Sequence, residues 1–254
     1  MKKIFAVLVA LTMFATALSG CAGLQKDPAA DAVSEFIEKT DKSDIGSKSN
    51  EATVAGNVGE ADNSSSGSGF DAKKVVDNIE VEGYSYSTEF SNELVLVLKN
   101  KSDAHCKLNM SVDFYDENNN IIDTQDDYID VFSAGTENAI NFMTDDKFAT
   151  YKYEIKVEEP EDYYFSVNDK LSCEVNIATD KAIISATNNG DKPAEFVKYN
   201  ALFFKNDNLV YASWGYVIDD DSEIKPGSTE KETASCYEDF DSVKVYLDGR
   251  GSTY

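Results

Sequence analysis

Between residues 71 and 254 the chain runs twice through one succession of short segments, and a repeat of that kind leaves few folds open. The first pass reads Asn100-Lys101-Ser102-Asp103, then Val112-Asp113-Phe114-Tyr115-Asp116, then Asn120-Ile121-Ile122. It continues through Phe132-Ser133-Ala134-Gly135 and closes on Phe148 to Ile155. The second pass answers in order with Asn188-Asn189-Gly190-Asp191, Ala201-Leu202-Phe203-Phe204-Lys205 and Asn208-Leu209-Val210. Ile224-Lys225-Pro226-Gly227 and Phe240 to Leu247 complete it.

Within each pass the apolar residues recur with a period of two. Leu108, Met110, Val112 and Phe114 alternate with Asn109, Ser111 and Asp113, the pattern of a strand with one buried face. Sliding the second pass by one residue places Lys198 and Asn200 on that face, whereas Val197, Tyr199, Ala201 and Phe203 keep it apolar and set the register. Leu94 to Leu98 and Ala182 to Ala186 are short, continuous apolar runs, and Tyr151, Tyr153, Ile155 and Val157 alternate again. Asp116 to Asn120 and Lys205 to Asn208 read as hairpin turns, because Asn and Asp tolerate positive φ. No long helical period appears after residue 71. The expected fold is all-β: two tandem antiparallel sandwiches of immunoglobulin-like type, at 71–160 and 161–254.

The N-terminal part has another character. Lys2 and Lys3 precede a mostly apolar run, Ile4 to Leu18, which is short of the roughly 20 residues a bilayer span needs. Leu18-Ser19-Gly20-Cys21 follows. This arrangement resembles a bacterial lipoprotein signal, with residues 1–20 as the leader. The resemblance implies cleavage before Cys21 and a diacylglyceryl thioether on its sulfur, so that Cys21 is the lipidated N-terminus and membrane lipid its partner. The implied address is the extracytoplasmic face of a bacterial cell membrane. Residues 21–70 form a tether; Asn63-Ser64-Ser65-Ser66-Gly67-Ser68-Gly69 has a flexible-linker composition and buries too little to fold alone.

The chain carries 47 Asp and Glu against 23 Lys and Arg, a formal charge of -24. That balance argues against nucleic acid as a partner, since phosphates need clustered cations. It argues equally against a protein surface lying flat on anionic lipid, so attachment falls to the acyl chains.

Val112-Asp113-Phe114-Tyr115-Asp116, preceded by Lys99-Asn100 and leading to a Ser-Ala-Gly or Lys-Pro-Gly step, resembles the FxLYD-type domain. The resemblance implies a sandwich fold in an exported protein and no settled activity. The first module has Val where that family has Phe, and Ala201-Leu202-Phe203-Phe204-Lys205 departs further.

Catalytic chemistry has little to build on. The one histidine, His105, sits beside Cys106 at a strand start, where neighbours point to opposite faces and do not form a nucleophile–base pair. Cys106 shares parity with Leu108 and Met110 and reads as a buried thiol. No phosphate loop, zinc-ligand pairing or nucleophile elbow is present, and no catalytic residue, metal ligand or cofactor is assigned. The Asp116-x-Asn118-x-Asn120 spacing echoes a calcium loop but lacks its Gly and terminal Glu. The acidic runs Asp126-Asp127 and Asp219-Asp220-Asp221 read as solvated charge.

Of the three cysteines after Cys21, Cys173 shares parity with Val175 and Cys236 with Ala234. Both face inward on this reading, which allows either a Cys173–Cys236 disulfide or two buried thiols.

One difference between the passes stands out. Tyr211, Trp214, Tyr216 and Ile218 occupy positions held in the first module by Asp123, Asp126, Tyr128 and Asp130. Such a stripe serves either packing between modules or recognition of an envelope protein or glycan by flat aromatic rings. The expected function is a non-catalytic interaction module at the cell envelope; the alternative is a structural spacer without a specific ligand.

Overall fold

The computed structural model describes residues 69–217 and 223–253. The leader, Cys21, the tether to residue 68, Ile218 and Asp219-Asp220-Asp221 lie outside the described residues. A short helix, α1 (Ala72–Val76), comes first, its N-terminus capped where the Lys74 amide donates to Asp71 Oδ1 at 3.0 Å. Six strands follow: β1 (Ile79–Ser87), β2 (Asn92–Asn100), β3 (Cys106–Tyr115), β4 (Ile121–Phe132), β5 (Glu137–Thr144) and β6 (Thr150–Glu158). They form two antiparallel sheets, β1-β2-β5 and β4-β3-β6, which face each other as a sandwich.

The second half repeats the plan. After β7 (Tyr164–Ser166) and a 3-10 turn at Asn168–Lys170 come β8 (Leu171–Ile177), β9 (Lys181–Asn188), β10 (Ala194–Lys205) and β11 (Asn208–Tyr216). Then follow β12 (Glu223–Ile224), β13 (Thr229–Ser235) and β14 (Ser242–Ser252). One sheet is β13-β9-β8; the other is β11-β10-β14-β7, with β12 added to β10. The all-β, tandem-sandwich architecture expected from the strand pattern is the observed one.

The register matches the sequence periodicity. On β3 the side chains of Cys106, Leu108, Met110, Val112 and Phe114 are buried, while those between them are partly exposed. Val197, Tyr199, Ala201 and Phe203 occupy the corresponding core positions on β10. One irregularity also coincides. A bulge falls between Phe114 and Tyr115 against β4, and another between Phe203 and Phe204 against β11.

Two turns repeat with the same chemistry. Gly135 and Gly227 have φ of 74° and 75° at the third position of turns closed by Thr136 N–H to Ser133 O and Ser228 N–H to Lys225 O. Positive φ there is the type II requirement, and Pro226 stands at its preferred second position. The hairpin turns hold Asn119 at φ 64°, Asn206 at 50° and Asp207 at 64°, as Asn and Asp permit.

A buried asparagine anchors each loop. Asn100 Nδ2 donates to Ala104 O at 3.0 Å and Phe132 O at 3.2 Å, while its Oδ1 accepts from the Ser102 amide. Asn188 does the same in the second sandwich, donating to Lys192 O and Ile224 O at 2.8 Å and accepting from the Gly190 amide.

The sandwiches meet sheet on sheet. Leu94, Leu96 and Leu98 of β2 point into the first core, while Val95 and Val97 point out of it into a separate apolar cluster. Ala139 from β5 and Leu202, Phe204, Leu209 and Tyr246 from the second sandwich complete that cluster. Val95 and Leu202 are fully buried, and each such side chain contributes on the order of 1.5–3 kcal/mol. This explains why β10 lacks alternation: Leu202 stands where the first module has Asp113, because that face of β10 is covered and that of β3 is not. Polar links fasten the contact, with Asn200 Nδ2 donating to Ala139 O at 2.7 Å and Arg250 paired with Asp130.

Candidate functional site

The site grows out of the place where the two packed sheets stop touching. Tyr86 on β1, Glu93 on β2 and Met143 on β5 lie directly across from one another in register. Opposite them runs β11, an edge strand carrying Tyr211, Ala212 and Trp214. The space between is a groove of about 1410 Å³ lined from both sandwiches.

Its closed end is aromatic. Tyr211 stands at the β10–β11 bulge with its ring centroid 6.0 Å from Tyr86, 6.3 Å from Phe203 and 5.9 Å from Tyr237. It thereby joins the second core to the inter-sandwich cluster. Toward solvent the groove carries four large apolar side chains: Met143, Trp214, Phe90 and Tyr237 are 57%, 60%, 80% and 83% exposed. Four such groups around one concavity differ from the scattered exposed apolar residues of an ordinary surface.

The Phe90 turn is held in place by its own residues. Thr88 Oγ1 accepts from the amides of Phe90 at 3.1 Å and Ser91 at 3.0 Å, and the Thr88 amide donates to Ser91 O at 2.8 Å. Phe90 is thus presented on a hydrogen-bonded turn.

The charged groups are mostly acidic: Glu89, Glu93, Asp127 and Glu238 against the single Lys198. Burial raises the Glu93 carboxyl above its ordinary range, and a 2.9 Å hydrogen bond from the Ser91 hydroxyl opposes the shift. Lys198 Nζ lies 5.4 Å from the centre of the Trp214 ring. Asn141 Oδ1 is enclosed in the groove wall without a hydrogen-bond partner.

The residues singled out from sequence are therefore divided. Trp214 and Tyr211 line the groove. Tyr216, 52% exposed, faces a neighbouring cavity of about 290 Å³ with Tyr128, Phe196 and Arg250. Lys198 borders both spaces. Trp214 is not consumed by packing between the modules; Tyr211 is, in large part. Phe90, Met143, Tyr237 and Glu93 went unnoticed in the sequence. Aromatic residues set in the polar segments Ser87–Ser91 and around Glu238 were the available signal.

Of the two readings open for Cys173 and Cys236, a disulfide between them is not the one formed. Cys173 on β8 pairs with Ala186 of β9, whereas the Cys236 amide bonds Asp180 O beyond the opposite end of β9. Six residues of strand separate the two levels, roughly 20 Å, far beyond the ~7 Å that a disulfide spans between Cα atoms. The Cys236 thiol instead donates to Glu238 O at 3.3 Å. Cys106 is fully buried, and burial pushes its thiol up to about 12, the reverse of a reactive thiolate. His105 Nδ1 accepts from the Ala134 amide at 3.1 Å. Among the described residues no three His, Cys, Asp or Glu side chains converge as a metal site. Asp116 closes its own turn, accepting from the amides of Asn118 and Asn120, both at 2.8 Å.

No protein-family model matches the sequence, and no curated protein is similar to it. Among solved structures, red sea bream transglutaminase is similar at 11% identity with a TM-score of 0.23, over 68% of this chain and 29% of that enzyme's length. A likeness at that level carries no inference about activity.

Proposed function

We propose that this is a bacterial lipoprotein, anchored through a lipidated Cys21 at the extracytoplasmic face of the cell membrane, whose paired immunoglobulin-like, FxLYD-like modules bind a partner without catalysing a reaction. The leader ending in Leu18-Ser19-Gly20-Cys21 supports the address. The observation that supports binding is the inter-sandwich groove, with Trp214 displayed at its mouth and 60% exposed. The partner is an envelope protein or glycan, and it docks against both sandwiches at once.

The direct test is Trp214→Ala. Its stability is expected to stay within about 0.5 kcal/mol of wild type, because an exposed ring is removed. Partner affinity in native envelope material is expected to fall by about 2 kcal/mol or more, roughly thirtyfold. Unchanged capture of every partner by a folded variant would remove the groove from the proposal. The spacer alternative draws on the low-complexity tether; it predicts that unrelated sandwiches of equal length restore a deletion strain fully.

A further inference from the structure

We infer that the groove receives a basic, extended peptide segment of another protein, one bearing Lys or Arg side chains; this deepens the binding reading and rests on it. Charge is the first ground. Glu89, Glu93, Asp127 and Glu238 line the groove, and among the described residues none of the four is joined to a lysine or arginine. Lys198 is the groove's own cation, and it also acts on the buried carboxylate of Asp248.

The second ground is the pairing of those carboxylates with exposed rings. Phe90, Trp214 and Tyr237 offer π faces beside unpaired anions, and an ammonium or guanidinium is attracted by both. Lys198 over Trp214 shows the mode within the protein itself. A neutral sugar stacks on the rings but leaves the half-buried Glu93 carboxylate without a counter-charge. A phosphate-bearing polymer is repelled.

Size is the third ground. About 1410 Å³ exceeds the ~300–1000 Å³ typical of small-molecule pockets, so a free amine or single amino acid leaves most of the groove unfilled. A chain segment with alternating basic and apolar side chains presents cations to Glu93 and Asp127 and apolar groups to Met143 and Trp214.

Trp214 is the chain's only tryptophan, so its fluorescence reports on the groove directly. The full chain in nonionic detergent is titrated with three probes: a short peptide alternating Arg or Lys with Val, its Glu counterpart, and a neutral chito-oligosaccharide. The basic peptide is expected to produce a saturable shift of Trp214 emission that weakens with salt. The double variant Glu93→Gln, Asp127→Asn is expected to bind it at least on the order of tenfold less tightly, with an unchanged emission spectrum before titration. Equal response to the acidic peptide, or affinity indifferent to salt and to the double variant, overturns the inference. Saturation by the oligosaccharide alone overturns it while leaving the groove a binding site. Silence toward all three probes also overturns it, and the Trp214→Ala capture experiment then decides separately whether the groove binds anything.

Discussion

Glu93 is held between Tyr86 and Met143 on the neighbouring strands, with Tyr211 close by on the other sandwich. Its carboxyl is raised from the reference value of 4.5, chiefly by burial. A folded state that holds its proton more tightly than the unfolded chain is favoured by protonation. This contribution is fully present below about pH 4.5 and is lost as pH rises through the raised folded value. Glu93→Gln removes the dependence, so the difference between wild-type and variant stability in urea is expected to favour the variant increasingly across that window. A difference that does not vary with pH would contradict the assignment. The same residue shows what was hidden in the sequence. Beside Leu94 in the sequence, Glu93 looks like one more solvated acid; the side chains around it, Tyr86 and Met143 on the neighbouring strands and Tyr211 on the second sandwich, are brought there by the fold. Trp214 was legible because the homologous position in the first module holds Asp126.

At the level of elements, the paired asparagines are the clearest case of one solution used twice. Asn100 and Asn188 end β2 and β9, and each donates to two backbone carbonyls of the loops beside it. Replacing either by Ala is expected to cost about 3 kcal/mol, from the lost hydrogen bonds and the buried oxygens left behind. Urea unfolding of the two single variants measures this, and closely similar losses are expected. The strands β2, β3, β6, β9 and β10 were readable from apolar runs, period-two alternation and the repeat, which also set the register of β3 and β10, whereas β1, β5 and β7 carried no comparable signal. Two-sided burial of β2 was visible only as an unbroken apolar run, Leu94 to Leu98, which does not say what covers the second face. Leu202 in place of Asp113 was the more pointed sign. It breaks the alternation of β10 because another sheet lies against it. The bridge between Cys173 and Cys236 could not be decided from sequence for a related reason: parity tells which face a cysteine takes but not its height along the sheet.

For the molecule as a whole, the apolar contact between β1-β2-β5 and the β10 sheet couples the two sandwiches. A single cooperative thermal transition is expected from calorimetry, despite the repeated architecture. Leu202→Asp restores the first module's residue at a buried junction position and is expected to destabilise by more than about 3 kcal/mol. It is also expected to split the transition in two, with one sandwich melting before the other. A single unshifted transition in that variant would show that the junction contributes little. The groove depends on the same coupling, since one wall belongs to each half.

The stacking arrangement also limits itself. The outer side of the β4-β3-β6 sheet presents Lys107, Asn109, Ser111 and Asp113, and that of β13-β9-β8 presents Ser172, Glu174, Asn176 and Lys231. Tyr128 across from Asn109 and Ile183 across from Asn176 are single exposed apolar side chains there, not a continuous oily surface like the one that joined the first pair. Hydrophilic ends of this kind act as terminators, as they do in solenoid arrays, so neighbouring molecules crowded together find no ready way to lengthen the pile into a fibre.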